Sequence, residues 1–298
     1  MFCPVVRRWS RRLAVIASCL LVCLAVGCAG TRWLDKLPMY TAKRLPPILG
    51  APDAIYLDIV FAERPRHDSL LGPELWQHID QTADLNAKTR DSLLDNGLRV
   101  GVVGSQPPPA LSTVLGLNMD FVDPKHENAK KLMGHQSIIR SGGFTEIQSN
   151  PTAYEDCRFD VVRTEQGKVV ETTHKKFAGA RCIYKVTAER VQDGWVRLDF
   201  IPQVMHGAPR PVYSMEIDEQ EGHPDYVYAQ KTESFPQQQF SVTLSVGEMA
   251  VISATEDAKG RLGEVFFQGT NDENVEVQRV LVIRLANMGL TDDPYGNN

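Results

Sequence analysis

The sequence predicts an α+β fold: an N-terminal strand and short helices followed by a mainly antiparallel β-sheet body. Three features predict it. Apolar residues at helical spacing are confined to residues 73–134. From residue 135 onward, apolar–polar alternation with a period of two dominates. Turn residues then punctuate that alternation at Ser141-Gly142-Gly143, Gln166-Gly167 and Asp193-Gly194.

The elements follow in order. In "AIYLDIVFAER", Ile55, Leu57, Ile59 and Phe61 alternate with Tyr56, Asp58, Val60 and Ala62, as in a strand. In "PELWQHIDQ", Leu75, Trp76 and Ile79 share a helical face, and "NAKTRDSLLDNG" is a helix that stops at Asn96-Gly97. "LRVGVVG" is a second strand. "ALSTVLGL", after three prolines, and "ENAKKLM" are short helices. "QSIIR" is expected to pair with "FTEIQ" across Ser-Gly-Gly, and "CRFDVVRT" with "KVVETT" across Glu-Gln-Gly. "ARCIYKVTAERV" and "WVRLDFIPQV" flank Asp193-Gly194, the strongest short hairpin signal. There Val196, Leu198 and Phe200 face one side, and Trp195, Arg197 and Asp199 the other. "FSVTLSVGEMAVISA" continues the alternation. "EVQRVLVIRLANM" is apolar on both sides from Val280 to Ile283 and is therefore a central strand.

The N-terminus fixes the compartment. Arg7, Arg8, Arg11 and Arg12 precede an uncharged apolar run of 15 residues, Leu13 to Gly27. That run is shorter than the roughly 20 residues needed to span a bilayer core, and it closes on small residues as a secretory signal does. Leu24-Ala25-Val26-Gly27-Cys28 resembles the bacterial lipobox, with Ala25 where Leu or Val is usual. The resemblance implies cleavage before Cys28 and its acylation, and Ala29 after it implies the outer membrane, facing the periplasm. Two or more acyl chains hold a protein stably at a membrane. The chain then divides into a signal peptide (1–27), a lipid-anchored tether (28–53), an α/β segment (54–134), an antiparallel β segment (135–288) and a disordered tail (289–298). Stretched out, the Pro-containing tether reaches at most about 80–90 Å.

Cys3, Cys19 and Cys23 leave with the signal. Cys157 and Cys182 remain, and two thiols in an oxidising compartment are expected to pair as a disulfide. Closing that loop would stabilise the fold by roughly 3–4 kcal/mol on the chain-entropy account. The whole chain carries 32 Lys+Arg against 37 Asp+Glu, and the signal removes four Arg and no acid. The mature chain is left with 28 against 37, a net charge of −9. Nucleic acid is excluded as a partner, because phosphate binding needs a basic surface.

Catalytic motifs are absent from the sequence: there is no His-Glu-x-x-His and no Gly-x-Ser-x-Gly, and "GVVGSQPPP" lacks the Lys of a P-loop. Seven His are scattered without metal-ligand spacing, so no metal or cofactor is expected. His135 near Ser137, and His206 near Asp199, are the first suspects for a hydrolase without a motif.

The order of the β segments resembles the secretin domain, the ring-forming module of bacterial type II secretion and type IV pilus outer-membrane channels. The segments that carry the resemblance are "YLDIVFAER", "HQSIIRSGGFTEIQSNP", "CIYKVTAERVQDGWVRLDFIPQVMHG", "QQFSVTLSVGEMAVISA", "GRLGEVFF" and "QRVLVIRLANM", spanning residues 54–288. There are departures. "VIRLANM" lacks the family's Thr-Pro, and Glu248 follows Gly247 where a paired glycine is usual. The stretch corresponding to a membrane hairpin carries Glu216, Asp218, Glu219, Glu221 and Asp225, which would be costly against hydrocarbon. The resemblance therefore implies a lipid-anchored, non-enzymatic scaffold rather than a channel. Its partners would be the membrane through its anchor, and a homo-oligomer or other envelope proteins. A lipid-anchored hydrolase and a periplasmic ligand-binding module, with a pocket between helical zone and sheet, are the alternatives. Radiolabelled palmitate is expected to enter the wild-type protein in a bacterial host and to be lost with Cys28→Ser; equal labelling of both would remove the anchor.

Overall fold

The computed structural model describes residues 53–82, 84–117, 131–165, 168–213, 226–271 and 273–289. The signal, Cys28, nearly all of the tether and most of the tail lie outside them. Two antiparallel sheets and a thin helical layer account for the described chain, all of it within the compact unit Gly50–Asn298.

The first sheet has the order β2-β10-β12-β1-β3, with β11 beside β12. Its strands are β1 (Ala54–Pro65), β2 (Leu98–Val103), β3 (Lys131–Arg140), β10 (Met249–Ala254), β11 (Gln268–Thr270) and β12 (Glu276–Met288). The second has the order β4-β6-β7-β8, with β5 beside β6 and β9 beside β7. Its strands are β4 (Phe144–Gln148), β5 (Tyr154–Glu165), β6 (Lys168–Gln192), β7 (Trp195–Tyr213), β8 (Tyr226–Ser234) and β9 (Phe240–Ser245).

Burial explains the order. Ile55, Leu57, Ile59, Ile283 and Leu285 from the first sheet meet Tyr184, Val186, Leu198, Phe200 and Val242 from the second in one core. Phe200 and Phe240 stack with centroids 4.7 Å apart, fixing β7 against β9. The other face of the first sheet is covered by Leu71, Leu75, Trp76, Ile79, Leu111 and Val114. Val280 and Val282 point to that face while Leu281 and Ile283 point to the inter-sheet core. This is why β12 is apolar on both sides, as its sequence predicts.

Three of the expected helices form. They are α1 (Pro73–Trp76), α2 (Ala87–Asp95) and α3 (Pro109–Val114); a fourth, α4 (Leu262–Phe267), follows β10. The Asn86 side chain accepts from the Thr89 N–H at 2.8 Å and caps α2. Gly97, with φ +74°, ends it as a left-handed C-terminal stop. α1 lasts a single turn. Asp80 exchanges both backbone hydrogen bonds with Val102 of β2, so the chain beyond Trp76 is drawn into strand pairing and Ile79 is buried without a helix.

Three local expectations are corrected. Lys131–Met133, expected at the end of a helix, belong to β3, where they pair with Glu63, Ala62 and Phe61; a non-local strand overrides the helix preference of Lys, Leu and Met, and the rest of the expected helix lies outside the described residues. The turn at Ser141-Gly142-Gly143 does not join paired strands. β3 pairs with β1, β4 pairs with β6, and the turn carries the chain from one sheet to the other. Likewise "FSVTLSVGEMAVISA" is two strands in two sheets, broken at Gly247 (φ +94°). The Asp193-Gly194 hairpin forms as read, with Gly194 at φ +79° and Gln192 opposite Trp195.

Asn96 joins the layers. It is fully buried, its amide donates to the Ser92 and Val162 carbonyls at 2.8 Å each, and its Oδ1 accepts from the Val162 N–H at 2.8 Å. Tyr184, also fully buried, leaves its hydroxyl without a partner. Two opposite outcomes follow in a denaturant titration. Asn96→Ala should lower stability by about 1–3 kcal/mol, because the Val162 groups lose their partners. Tyr184→Phe should leave stability unchanged or raise it, because the hydroxyl is desolvated without compensation.

Candidate functional site

β6 and β7 are too long for the body they belong to. Ala180, Cys182, Tyr184, Val186 and Ala188 of β6 are buried, but every residue from Lys168 to Thr172 is exposed. The outer half of β6 pairs only with β5, from Tyr154↔Ala180 to Glu165↔Lys168. Pairing of β6 with β7 begins at Arg181↔Met205. The outer half of β7 pairs instead with β8, from Gln203↔Ser234 to Tyr213↔Tyr226. Two two-stranded ribbons therefore leave the body. Among the described residues, the β6 edge from Lys168 to Ala180 facing away from β5 has no strand beside it, and neither has the outer edge of β8.

The ribbons carry apolar side chains in the open. Val169 is 63% exposed, Val170 58%, Val212 50% and Tyr228 72%. They also carry charge: Lys168, Glu171, His174 and Lys176 on β6 and Lys231 on β8 are exposed. Pro209 and Pro211 in outer β7 supply no N–H, which blunts that strand as a template. Outer β6 contains no proline and keeps its backbone groups for pairing. The ribbons touch near their bases, where Phe177 lies 4.6 Å from the His206 ring and Lys175 pairs with Glu233 at 2.6 Å. Neither described ribbon shows a continuous apolar face of the kind a lipid-facing strand needs.

Below the first ribbon, Cys157 on β5 and Cys182 on β6 are both buried free thiols. They form no disulfide in this structure, in contrast to the sequence expectation. The interaction with Cys182 lowers the Cys157 pKa against the opposing effect of burial. Burial first, and then the interaction with Cys157, raise Cys182 well above the usual thiol value. Cys157 lines a cleft of about 330 Å³, while Cys182 is fully enclosed.

The hydrolase suspects are not assembled. The Ser137 hydroxyl is engaged with Thr145 at 3.3 Å, while His135 stands exposed on β3. Asp199 accepts from the Ser241 hydroxyl at 2.5 Å. It lies seven residues from His206 along β7, roughly 20 Å away at strand rise. Among the described residues no group of three or more His, Cys, Asp or Glu is gathered for a metal, and no helix is long and apolar enough to cross a membrane. A cavity of about 580 Å³ does lie between the helical zone and the first sheet, but Arg66, Asp68, Glu74, Glu256, Gln268 and Gln278 give it a polar lining. Leu71 and Pro73 supply apolar surface beside these polar groups.

No protein-family model and no curated protein matches the chain. Among solved structures, it is similar to the InvG secretin domain of the Salmonella SPI-1 injectisome at 10% identity and TM-score 0.18, covering 78% of this chain and 60% of that one. It is similar to the V. cholerae type IV competence pilus secretin PilQ at 11% identity and TM-score 0.17, covering 77% and 55%. It is also similar to the ETEC pilotin–secretin AspS–GspD complex at 12% identity and TM-score 0.18, covering 77% and 47%. The chain thus spans about half to three-fifths of these proteins. They are secretins, the family whose segment order the sequence resembles. At such TM-scores the folds do not superpose as wholes.

One buried polar feature is structural. Glu63 and Arg279, opposite each other on β1 and β12, form an ion pair at 2.9 Å and are 6% and 2% exposed. Glu63→Ala is expected to cost about 3–5 kcal/mol by leaving the guanidinium buried and unpaired. The double change to Leu at both positions should recover most of that loss in the same melt.

Proposed function

We propose that this protein is a non-enzymatic envelope lipoprotein, anchored through Cys28, whose β body acts in assembly by adding a partner strand to the open edge of outer β6. The observation that carries the proposal is the unpaired edge from Lys168 to Ala180, held away from the body and flanked by exposed Val169 and Val170. Such an edge offers a row of backbone donors and acceptors, apart from the Gly179 carbonyl, which accepts from the Gln230 side chain at 3.4 Å, and strand addition is the recognition mode that uses them. Its charges work against indiscriminate pairing, as charged edges do generally. The partner strand comes from a second copy or from another envelope protein. Anchoring at the outer membrane would confine the encounter to the periplasmic face within the tether's reach.

Neighbouring residues in a strand point their N–H groups to opposite sides. Thr172 and Thr173 are therefore a matched pair, one facing β5 and the other the open edge. Proline at one of them should break the β5 ladder and lower the melting temperature. Proline at the other should leave melting unchanged while abolishing the larger species seen when the detergent-extracted wild-type protein is sized. A strictly monomeric wild type, with no partner captured by cross-linking in intact envelopes, would overturn the proposal.

A further inference from the structure

We infer that the cleft beside the Pro236–Gln238 turn binds one residue of an extended, uncharged peptide through the Gln238 side-chain amide. The cleft lies on a face of the β5–β6 ribbon and not at its open edge, so this inference stands or falls separately from strand addition.

Gln238 ends a single helical turn, Pro236–Gln238, that follows β8. The backbone of the turn is satisfied from within. The Gln238 N–H donates to the Phe235 carbonyl at 3.1 Å, and the Gln239 N–H to the Pro236 carbonyl at 3.2 Å. The Ser92 hydroxyl donates to the Gln237 carbonyl at 3.4 Å and ties the turn to α2. In this frame the Gln238 side chain is held at 1% exposure, yet neither its Nε2 nor its Oε1 has a hydrogen-bond partner in the protein. A desolvated primary amide with both ends unused is costly. Buried polar groups of folded proteins are nearly always paired, so this one points to a ligand.

Gln238 forms part of the wall of a cleft of about 170 Å³. Val161 and Arg163 of β5 line it, together with their cross-strand partners Thr173 and Glu171 of β6. Alternate residues of paired strands share a face, which places the cleft on one face of the ribbon. Its charged groups pair with one another. Arg163 lies 2.6 Å from Glu165 and 4.0 Å from Glu171, and Lys175 lies 2.6 Å from Glu233. What remains for a ligand is the neutral donor and acceptor of Gln238. A second cleft of about 490 Å³ adjoins the first and shares Arg163, Pro236 and Gln237 with it. Thr164 lines that cleft, and its hydroxyl oxygen is also buried without a partner.

A primary amide carries an N–H and a C=O side by side. An extended residue presents its own N–H and C=O to one side, as in the hydrogen-bonded pairs of an antiparallel ladder. The two therefore match, donor to acceptor and acceptor to donor. A carboxylate only accepts and an ammonium only donates, so either would leave one Gln238 atom buried and unpaired. The adjoining cleft gives the flanking residues of the peptide room beside Thr164.

The test uses the detergent-extracted full chain, isotopically labelled at nitrogen, and acetyl-tetraalanine N-methylamide, a peptide with no charge and no primary amide. The Gln238 side-chain N–H resonances are expected to shift saturably as this peptide is added. They should stay in place with the same peptide methylated at every backbone nitrogen. Gln238→Met, similar in shape but without the donor and acceptor, should weaken peptide binding by about tenfold or more, read from the backbone amides of Ser92 and Thr164. Its melting temperature should be unchanged or higher. No saturable shift up to the solubility limit of the peptide, equal shifts from the two peptides, or undiminished binding by Gln238→Met would each overturn the inference. The two peptides are compared on unmutated protein, so the test stands even if the variant fails to fold.

Discussion

The continuity of β6 is the constraint on which the rest depends. One strand of 25 residues has an inner half that is core and an outer half that is surface. The inner half is fixed by Tyr184, which meets Phe200, Phe240, Phe266 and Phe267 edge-on or tilted within 6.3 Å. Because a strand transmits orientation along its length, that aromatic cluster sets where the outer ribbon points. Side chains with no exposure of their own thereby determine the geometry of a surface assembled from Lys168 to Lys176.

Hydrogen bonds add to the apolar contacts of Leu93, Leu262, Phe266 and Phe267 in holding this arrangement against the helical layer. Asn96 ends α2 and at the same time supplies both partners for Val162 on β5. Gly263, at the start of α4, approaches so closely that an added Cβ would sit 1.8 Å from the Gly97 carbonyl. These contacts meet at one place, where α2, α4 and β5 converge. β5 is thus anchored through the backbone groups of Val162 while β6 is anchored by the aromatic packing of Tyr184.

Much of the architecture was legible. The Ile55–Phe61 alternation, the Asn96-Gly97 helix stop, the Asp193-Gly194 hairpin and the doubly apolar Val280–Ile283 are local signals whose physics needs no distant partner. What was not legible concerns partners. A Ser-Gly-Gly turn allows a chain reversal but does not say whether the strands it separates pair with each other. Residues 240–246 keep a period of two and Met249–Ile252 are apolar on both sides, but that change of pattern at Gly247 does not say which sheet each half joins. For the candidate site, the exposed Val169 and Val170 look like ordinary strand residues; only the absence of β7 beside them makes them an edge. The two cysteines were visible, but their unequal surroundings were not.

The sequence by itself determined the elements, most of their boundaries, the burial of β12 on both faces and the net negative charge of the chain. These follow from side-chain periodicity, capping and composition, which act over a few residues. Only the tertiary structure decided that there are two sheets, that β6 and β7 part company after Arg181 and Met205, and which thiol faces a cleft. Those are questions of which non-local hydrogen-bond partners and which buried volumes are available. A strand with one free side has the same sequence pattern as a strand with two neighbours.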